Sequence, residues 1–389
     1  MMKKVFEFFG LNRSILGMLF LVILVGLGEK MAERFLPLYL LALGGSVYAV
    51  GALNALDNLL SALYSFPGGY LSDKLGYKRA LIAFTAIAMG GYLIVILIPS
   101  WVAVFIGSFF FISWTAISLP AVMSLVSKVV PKEKRTMGVS VHSLIRRIPM
   151  ALGPVIGGVF IAIMGKVQGI RVAFLCAFGL AFIAILTFWK LVEDQPASKP
   201  LKIREAWGAI SPSLRNLLIS DILIRFAEQI PYAFVVVWVV EIQRFSALQF
   251  GILTTIEMAT AMAVYIPIAY FADRTRKKPF VLMTFLFFTF FPLALMFAKS
   301  FLALVFVFIL RGLKEFGEPT RKSLIMDLAP EDKKAATFGT YYLIRDVVVS
   351  GAALTSAYWW SLAPEINFLV AFGCGIVGTL FFLFKGKDS

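Results

Sequence analysis

Residues 26–40, GLGEKMAERFLPLYL, carry four charged side chains inside an otherwise apolar segment. At the centre of a bilayer each such side chain costs about 2.5 to 3.5 kcal/mol on insertion scales, so it needs protein or water around it. Carboxylates held there can bind and release protons, arginine and lysine can bind an anionic group, and opposite charges can pair. Glu29, Lys30, Glu33 and Arg34 fit within about 140° of a helix circumference and therefore share one face.

Carboxylates in other apolar segments extend this pattern. The candidates for proton binding are Glu29, Glu33, Asp57, Glu228 and Glu257. Asp57 and Glu257 are preferred, because they occupy matching positions of an internal repeat with a 200-residue offset and have no opposite charge within one helical turn.

Polar and basic residues of the same segments could contact a bound solute. These cavity candidates are Arg34, Asn54, Asn58, Arg146, Arg225, Glu315, Tyr341, Tyr342 and Arg345. An alternative is that the charges pair and hold helices together, such as Arg311 with Glu315 or Lys314 with Glu318, each four residues apart on one helix face.

Long apolar stretches carry these residues. The 389-residue chain is 60% hydrophobic and 15% charged, whereas soluble domains have about 25% charged residues. About 20 apolar residues in a helix cross a hydrocarbon core of about 30 Å, and no strand pattern of period two occurs, so we predict an all-α membrane protein. Twelve spans are expected, at 14–42, 46–71, 79–98, 101–128, 137–164, 170–191, 214–240, 246–271, 279–298, 301–328, 337–360 and 366–384.

The net charge of +15 lies mainly in alternate loops between these spans. By the positive-inside rule, this distribution predicts a multi-pass protein of the cell membrane (inner or plasma membrane) with both termini cytoplasmic. The basic residues therefore reflect topology, and no nucleic-acid partner is expected.

The chain reads as two six-helix halves in tandem. Gly51, Asp57 and Pro67 match residues 200 positions later, and FLCAFG at 174–179 returns as FLVAFG at 368–373. We expect an N-terminal bundle at 1–192, a cytoplasmic linker at 193–213 and a C-terminal bundle at 214–389, related as parallel repeats with a central cavity.

A motif follows the second span. Its residues are Gly69, Asp73, Lys74, Gly76, Lys78 and Arg79, and a degenerate copy in the second half contains Asp273. Gly76 permits a tight turn, and the charges can form a breakable latch. The stretch resembles the signature G-x-L-[AS]-D-[RK]-x-G-[RK]-[RK] of the major facilitator superfamily, departing only at Tyr77. That resemblance implies two pseudo-symmetric six-helix bundles that rock around a central site, with the motif helping to close the cytoplasmic gate.

A second motif lies in the fifth span, where Gly153, Pro154, Gly157 and Gly158 resemble the G-x-x-x-G-P-x-x-G-G segment of superfamily exporters. Small residues there permit close helix packing. Residues 109–124 carry no charge, whereas many drug exporters of the family have an arginine in that span.

These features predict a secondary active transporter that works by alternating access, with proton-coupled efflux of small organic or amphipathic compounds as the leading hypothesis. Proton-coupled uptake of a sugar-like or carboxylate solute is the alternative, followed by a non-transporting receptor or a lipid scramblase. No GxxxxGK[ST] sequence, nucleophile–base pair or metal-ligand cluster occurs, which argues against a primary pump, an enzyme, a metal site or a cofactor. The expected partners are a small-molecule substrate, protons and membrane lipids, and a monomer is expected.

Overall fold

A computed structural model describes residues 13–112, 114–129, 145–193, 210–272, 276–328 and 334–387. All regular secondary structure in these ranges is helical. The chain divides into two compact units: unit 1 comprises residues 1–45, 63–200 and 246–251, and unit 2 comprises 46–62, 201–245 and 252–389.

The first part of the chain forms seven helices within the described ranges. They are α1 (Arg13–Glu33), α2 (Leu36–Ala42), α3 (Val47–Leu75), α4 (Tyr77–Leu97), α5 (Trp101–Phe111), α6 (Trp114–Val129) and α7 (Arg147–Leu191). The rest of the chain forms eight more, with a π-helical turn at Trp238–Ile242. They are α8 (Pro212–Tyr232), α9 (Phe234–Val237), α10 (Ala247–Ala272), α11 (Lys278–Phe297), α12 (Phe301–Leu313), α13 (Glu318–Leu328), α14 (Lys334–Leu362) and α15 (Pro364–Lys385).

Within the described residues, eight helices are long and apolar enough to cross a membrane. Helices α3 and α14, each 29 residues long, also have the length but contain more polar side chains. The multi-pass helical class predicted from sequence is confirmed, and the count of twelve spans stays a prediction. One unit boundary, at 200/201, lies within the predicted linker, whereas others fall inside α3 and α10 or just before them. The division at residues 192 and 214 therefore also stays a prediction.

Several expected spans contain a break in regular helix. The first is interrupted at Arg34 and Phe35, just before Pro37, and the tenth is interrupted at residues 314–317. In α7 the break is Gly165, whose φ of 77° only glycine adopts readily. It falls between the predicted fifth and sixth spans. Because backbone groups released at such breaks need protein partners in a membrane, breaks tend to occur where chain packs against chain.

Glycines set the spacing of helices in unit 1. A Cβ added at Gly28 would lie 2.7 Å from Cα of Ala177, and one at Gly153 would lie 2.7 Å from Cβ of Lys30. Helices α1 and α7 therefore approach backbone to backbone. The ring of Phe174, on α7, packs against the ring of Tyr92, on α4, with centroids 5.9 Å apart.

Unit 2 has a compact apolar core. Buried side chains of α8, α11, α13, α14 and α15 contact one another there; they are Leu214, Leu217, Leu218, Ile224, Val281, Phe285, Phe288, Leu324, Ile325, Tyr341 and Phe382. Packing in this core holds α8 next to α13, so the charged residues on their facing sides come into contact.

Candidate functional site

Unit 2 contains a network of buried charges. At one end Glu257, on α10, has no exposed surface and lies 3.3 Å from Nη1 of Arg311 and 3.4 Å from Nζ of Lys314. Lys314 also donates to Oε1 of Glu228, on α8, at 2.8 Å. Three elements distant in sequence thus supply one cluster of opposite charges.

The network continues along α8 and α13. Arg225 donates to Glu228 at 2.6 Å and to Glu318 at 2.7 Å. Arg321 donates to Glu318 at 2.9 Å and forms a short ion pair with Asp221. The side chains of Arg321 and Asp221 are each only 1% exposed, so this pair is removed from solvent.

Helix α14 supplies the residues at the other end of the charged network. Tyr341 donates its hydroxyl to Asp221 at 3.0 Å, and Arg345 lies 3.5 Å from the same carboxylate. Arg345 also donates to Asp346 at 2.6 Å and lies 4.2 Å from the ring centroid of Tyr342. Tyr341, Tyr342 and Arg345, three of the predicted cavity residues, therefore belong to one cluster.

Within the described residues, this network contains equal numbers of positive and negative side chains. Among the described residues, the ion pairs of this network join five carboxylates and five cations, namely Asp221, Glu228, Glu257, Glu318 and Asp346 with Arg225, Arg311, Lys314, Arg321 and Arg345. A balanced set avoids the large cost of an unpaired buried charge. Adding or removing one proton would upset that balance.

A pocket of about 260 Å³ opens on this network. Its walls are Glu228, Arg311, Lys314, Phe287, Phe288 and Phe291. The guanidinium of Arg311 lies 5.0 Å from the ring centroid of Phe291, and Nζ of Lys314 lies 5.8 Å from that of Phe288, both within cation–π range. We call this the phenylalanine pocket.

Two predicted cavity residues of α3 contact α8 within unit 2. Asn54 donates to the backbone oxygen of Gln229 at 2.9 Å. Asn58 donates to the Gln229 side-chain oxygen at 3.2 Å. Asp57 lies between them in sequence and is half-buried. Sequence reasoning missed Gln229, although its place directly after Glu228 is the signal that could have found it.

Unit 1 has its own charged cluster on α1. Lys30 lies 3.2 Å from Glu29 and forms a short ion pair with Glu33. Glu29 is 3% exposed. Arg34 is half-buried at the break after α1. The shared helix face predicted from spacing therefore brings at least three of these charges into contact.

A pocket of about 400 Å³ adjoins that cluster. Glu29, Lys30, Trp114, Ser118 and Arg146 are among its lining residues. The buried Oε2 of Glu29 makes no hydrogen bond within the described part of the chain. An unsatisfied buried carboxylate oxygen beside a pocket is a place where a proton, a water molecule or a solute group can bind.

The gate motif is described in part. Gly76 separates α3 from α4 with φ 81° and ψ 146°, a conformation almost confined to glycine. Lys74 and Arg79 are exposed and Lys78 is half-buried. Gly69 lies within α3, Asp273 lies outside the described residues, and the side-chain position of Asp73 lies outside the description, so the charged latch stays a prediction.

The exporter-like motif packs within unit 1. Pro154 lies inside α7, and a Cβ at Gly157 would lie 3.0 Å from the backbone carbon of Met31. A Cβ at Gly158 would lie 2.8 Å from Cα of Leu248. These glycines are thus at close helix contacts.

The prediction of ion pairs within the tenth span is wrong. Arg311 contacts Glu257 instead of Glu315, and Lys314 contacts Glu228 and Glu257 instead of Glu318. Regular helix stops at Leu313 and resumes at Glu318, so residues four apart across the break no longer share a face. Glu315 is half-buried in that break.

Sequence reasoning did not select Asp221 and Arg321 as site residues, yet the structure joins them as fully buried partners. The available signal was their charge inside apolar spans. Among the described residues no group of three or more His, Cys, Asp or Glu side chains could hold a metal ion.

Apolar helices of spanning length that contain clustered buried charges are typical of membrane transport proteins. The sequence pattern of the Major Facilitator Superfamily matches residues 18–350, with a second match at 217–388. The chain therefore belongs to the major facilitator superfamily, and it is a transporter rather than an enzyme.

Two relatives by sequence support this placement. An uncharacterised MFS-type transporter of Methanocaldococcus jannaschii is 21% identical over 368 residues, covering 92% of this chain and 91% of the relative. The multi-drug resistance efflux pump PmrA of Streptococcus pneumoniae is 31% identical over 226 residues, which is 53% of each chain. The second match thus covers only about half of either protein.

Solved structures share the fold. The nucleoside transporter NupG has a TM-score of 0.79 at 14% identity, covering 97% of this chain and all of its own. A peptide transporter, POT, also scores 0.79, at 13% identity, covering 96% of this chain and 94% of its own. At these identities the likeness concerns the fold alone.

Proposed function

We propose that the protein is a proton-coupled secondary active transporter that works by alternating access on small organic or amphipathic compounds. In this proposal the chain crosses the cell membrane twelve times, as two six-helix bundles with both termini cytoplasmic, and acts as a monomer. The observation that carries the proposal is the charge-balanced network ending at the fully buried Glu257. Because one added proton leaves the network with an excess positive charge, protonation and the packing of these helices are linked.

Efflux by antiport is the first candidate for direction. It is supported by the sequence match to a multi-drug resistance efflux pump over 226 residues. The glycines at the Gly153–Gly158 motif agree with it, since similar segments occur in exporters of the family.

Uptake of a carboxylate solute by symport is the second candidate. Arg311 and Lys314 in the wall of the phenylalanine pocket favour it, because they would attract an anionic group. A non-transporting receptor or a lipid scramblase is the less favoured function.

The test uses purified protein in liposomes with an imposed pH difference. A panel of fluorescent amphipathic compounds with positive, zero and negative charge is added outside. An acid interior drives accumulation by antiport, whereas an acid exterior drives accumulation by symport. A difference of about two pH units supports at most about 100-fold accumulation for one proton per solute.

Four variants accompany the wild type: Asp57→Asn, Glu257→Gln and Glu29→Gln, with Glu365→Gln as the matched control on an exposed acid. We expect gradient-driven accumulation to be lost in at least one of the first three and retained in the control. Transport that ignores the gradient in wild type and all variants would refute proton coupling. Labelled lipid that equilibrates without any gradient would indicate a scramblase.

A further inference from the structure

The ends of three helices of unit 2 meet on one side of the protein. Asn216, near the start of α8, donates to the backbone oxygen of Lys385 at the end of α15, at 3.3 Å. Lys278, the first residue of α11, donates to the backbone oxygens of Leu383 and Gly386 at 2.9 and 2.7 Å. These hydrogen bonds hold the last turn of α15 beside the starts of α8 and α11.

Close packing keeps α8 and α15 side by side up to these ends. A Cβ added at Gly378 would lie 2.8 Å from Cβ of Leu223. Phe382, one turn further along α15, belongs with Leu214 to the apolar core of unit 2. The two helices therefore present their end residues together. We call this place the α8–α15 junction.

Three basic side chains at the α8–α15 junction are exposed. They are Arg215 on α8, Lys385 at the end of α15 and Lys387 just beyond it. Within the described part of the chain, no carboxylate lies at ion-pair distance from any of them; Asp388 lies outside that part. Clustered basic residues at the end of a spanning helix attract anionic lipid headgroups. The described residues of this junction therefore carry an excess of positive charge.

Exposed apolar side chains lie next to these cations. Ile219 follows Arg215 by four residues, so both lie on one face of α8, and Ile219 is 38% exposed. Phe384, beside Lys385, is 76% exposed. Arginine and lysine near the end of a spanning helix reach the headgroup level, while apolar side chains deeper in the membrane contact acyl chains. One lipid molecule can thus contact both kinds of side chain.

The junction of α1 and α7 in unit 1 has a different charge. These helices also meet at their ends, since a Cβ added at Gly17 would lie 2.9 Å from a side-chain carbon of Val192. Arg13 and Lys190 are exposed there, but so is Glu193. A carboxylate close to the two cations opposes the binding of an anion. This junction therefore serves as the control.

We propose that the α8–α15 junction binds the headgroup of an anionic phospholipid, with Arg215, Lys385 and Lys387 contacting its phosphate. Arginine suits this role because its planar guanidinium binds two phosphate oxygens at once, and lysine adds a point charge. A zwitterionic headgroup carries its own cation, which the three side chains repel, so a net negative headgroup is selected. With the predicted topology the lipid belongs to the cytoplasmic leaflet. The inference goes beyond the proposed transport function and does not depend on it.

The experiment measures the binding of single lipid molecules to the full-length protein by native mass spectrometry in a neutral detergent. The probes are dioleoylphosphatidylglycerol, which is anionic, and dioleoylphosphatidylcholine, which has the same acyl chains and no net charge. We expect the first phosphatidylglycerol to bind at least about fivefold more tightly than the first phosphatidylcholine, since one basic residue near anionic lipid contributes about that factor. Glycerophosphoglycerol, the headgroup without acyl chains, should not displace the lipid, because it lacks the apolar contacts.

Paired variants locate the site. Arg215→Gln combined with Lys385→Gln should remove the preference for phosphatidylglycerol and leave the binding of phosphatidylcholine unchanged. Arg13→Gln combined with Lys190→Gln removes the same charge at the junction of unit 1 and should retain the preference. All four side chains are exposed, so each double variant should unfold at the same temperature as wild type, and that measurement verifies that it is folded.

Equal affinity of wild type for the two lipids would overturn the proposal. So would an equal loss of preference in the two double variants, because the lipid would then respond to the total charge of the protein rather than to the α8–α15 junction. Displacement by glycerophosphoglycerol would overturn it as well, since the site would then bind a free phosphate ester rather than a lipid. None of these results bears on the proposed function, because the measurement involves no transport.

Discussion

Arg321 and Asp221, 100 residues apart in sequence, form an ion pair in which each side chain is only 1% exposed. Asp221 also accepts from Tyr341 at 3.0 Å. Breaking a buried pair by removing one partner typically costs about 3 to 5 kcal/mol, because the other charge stays buried alone. We expect Asp221→Leu to lower the free energy of unfolding by about that amount, measured by denaturant titration in detergent.

The double variant Asp221→Leu with Arg321→Met restores the balance of signs. It should be clearly more stable than Asp221→Leu alone. The pair Lys277–Asp327, whose side chains are 18% and 34% exposed, is the control, since an ion pair in contact with solvent contributes only about 0 to 1 kcal/mol. Additive effects of the two buried substitutions would show that the pair is not energetically coupled.

Lys314 and Glu228 provide a second prediction, because Lys314 bridges Glu228 and Glu257. A double-mutant cycle with Lys314→Met and Glu228→Gln should give a coupling energy of about 0.5 to 3 kcal/mol in thermal or chemical unfolding. Lys314→Arg, which keeps the charge, should retain more transport than Lys314→Met. Equal loss in both Lys314 variants would mean that side-chain shape, not charge, is what matters.

Gly28 permits the contact between α1 and α7 in unit 1. Its substitution by alanine places a Cβ 2.7 Å from the backbone of Ala177, so we expect a loss of about 1 to 3 kcal/mol in unfolding free energy. Gly179→Ala, also in α7, meets nothing within 4 Å and should be neutral or stabilising by up to about 1 kcal/mol. Substitution of glycine by alanine is thus expected to destabilise the protein at Gly28 but not at Gly179. The same unfolding measurement compares the two variants.

Substitution of Gly76 tests whether the turn of the gate motif requires glycine. Its φ of 81° with ψ 146° should make Gly76→Ala cost about 1 to 3 kcal/mol. Gly90→Ala, in the following helix with open space around it, is the control. If unfolding of both variants is indistinguishable from wild type, the turn does not need glycine.

Local patterns in the sequence were sufficient to predict the class of the protein. Hydropathy over windows of about 20 residues locates apolar helices, and a 100° step per residue places Glu29, Lys30 and Glu33 on one face, as the structure shows. The motif around Asp73 and Gly76 was sufficient for the superfamily, which the family match confirms. Each of these signals is contained in a short stretch of chain, so no knowledge of packing is needed.

Only the tertiary structure decided which charges meet. Spacing alone predicted pairing within one helix for Lys314 and Glu318, but the break at residues 314–317 turns Lys314 towards Glu228 and Glu257 on other helices. The partners of an ion pair depend on how helices pack and where they are interrupted, and that geometry arises from contacts between segments far apart in the chain. The sequence by itself thus determined a helical membrane transporter with charges in its spans, whereas packing assembled those charges into a balanced network beside an aromatic pocket.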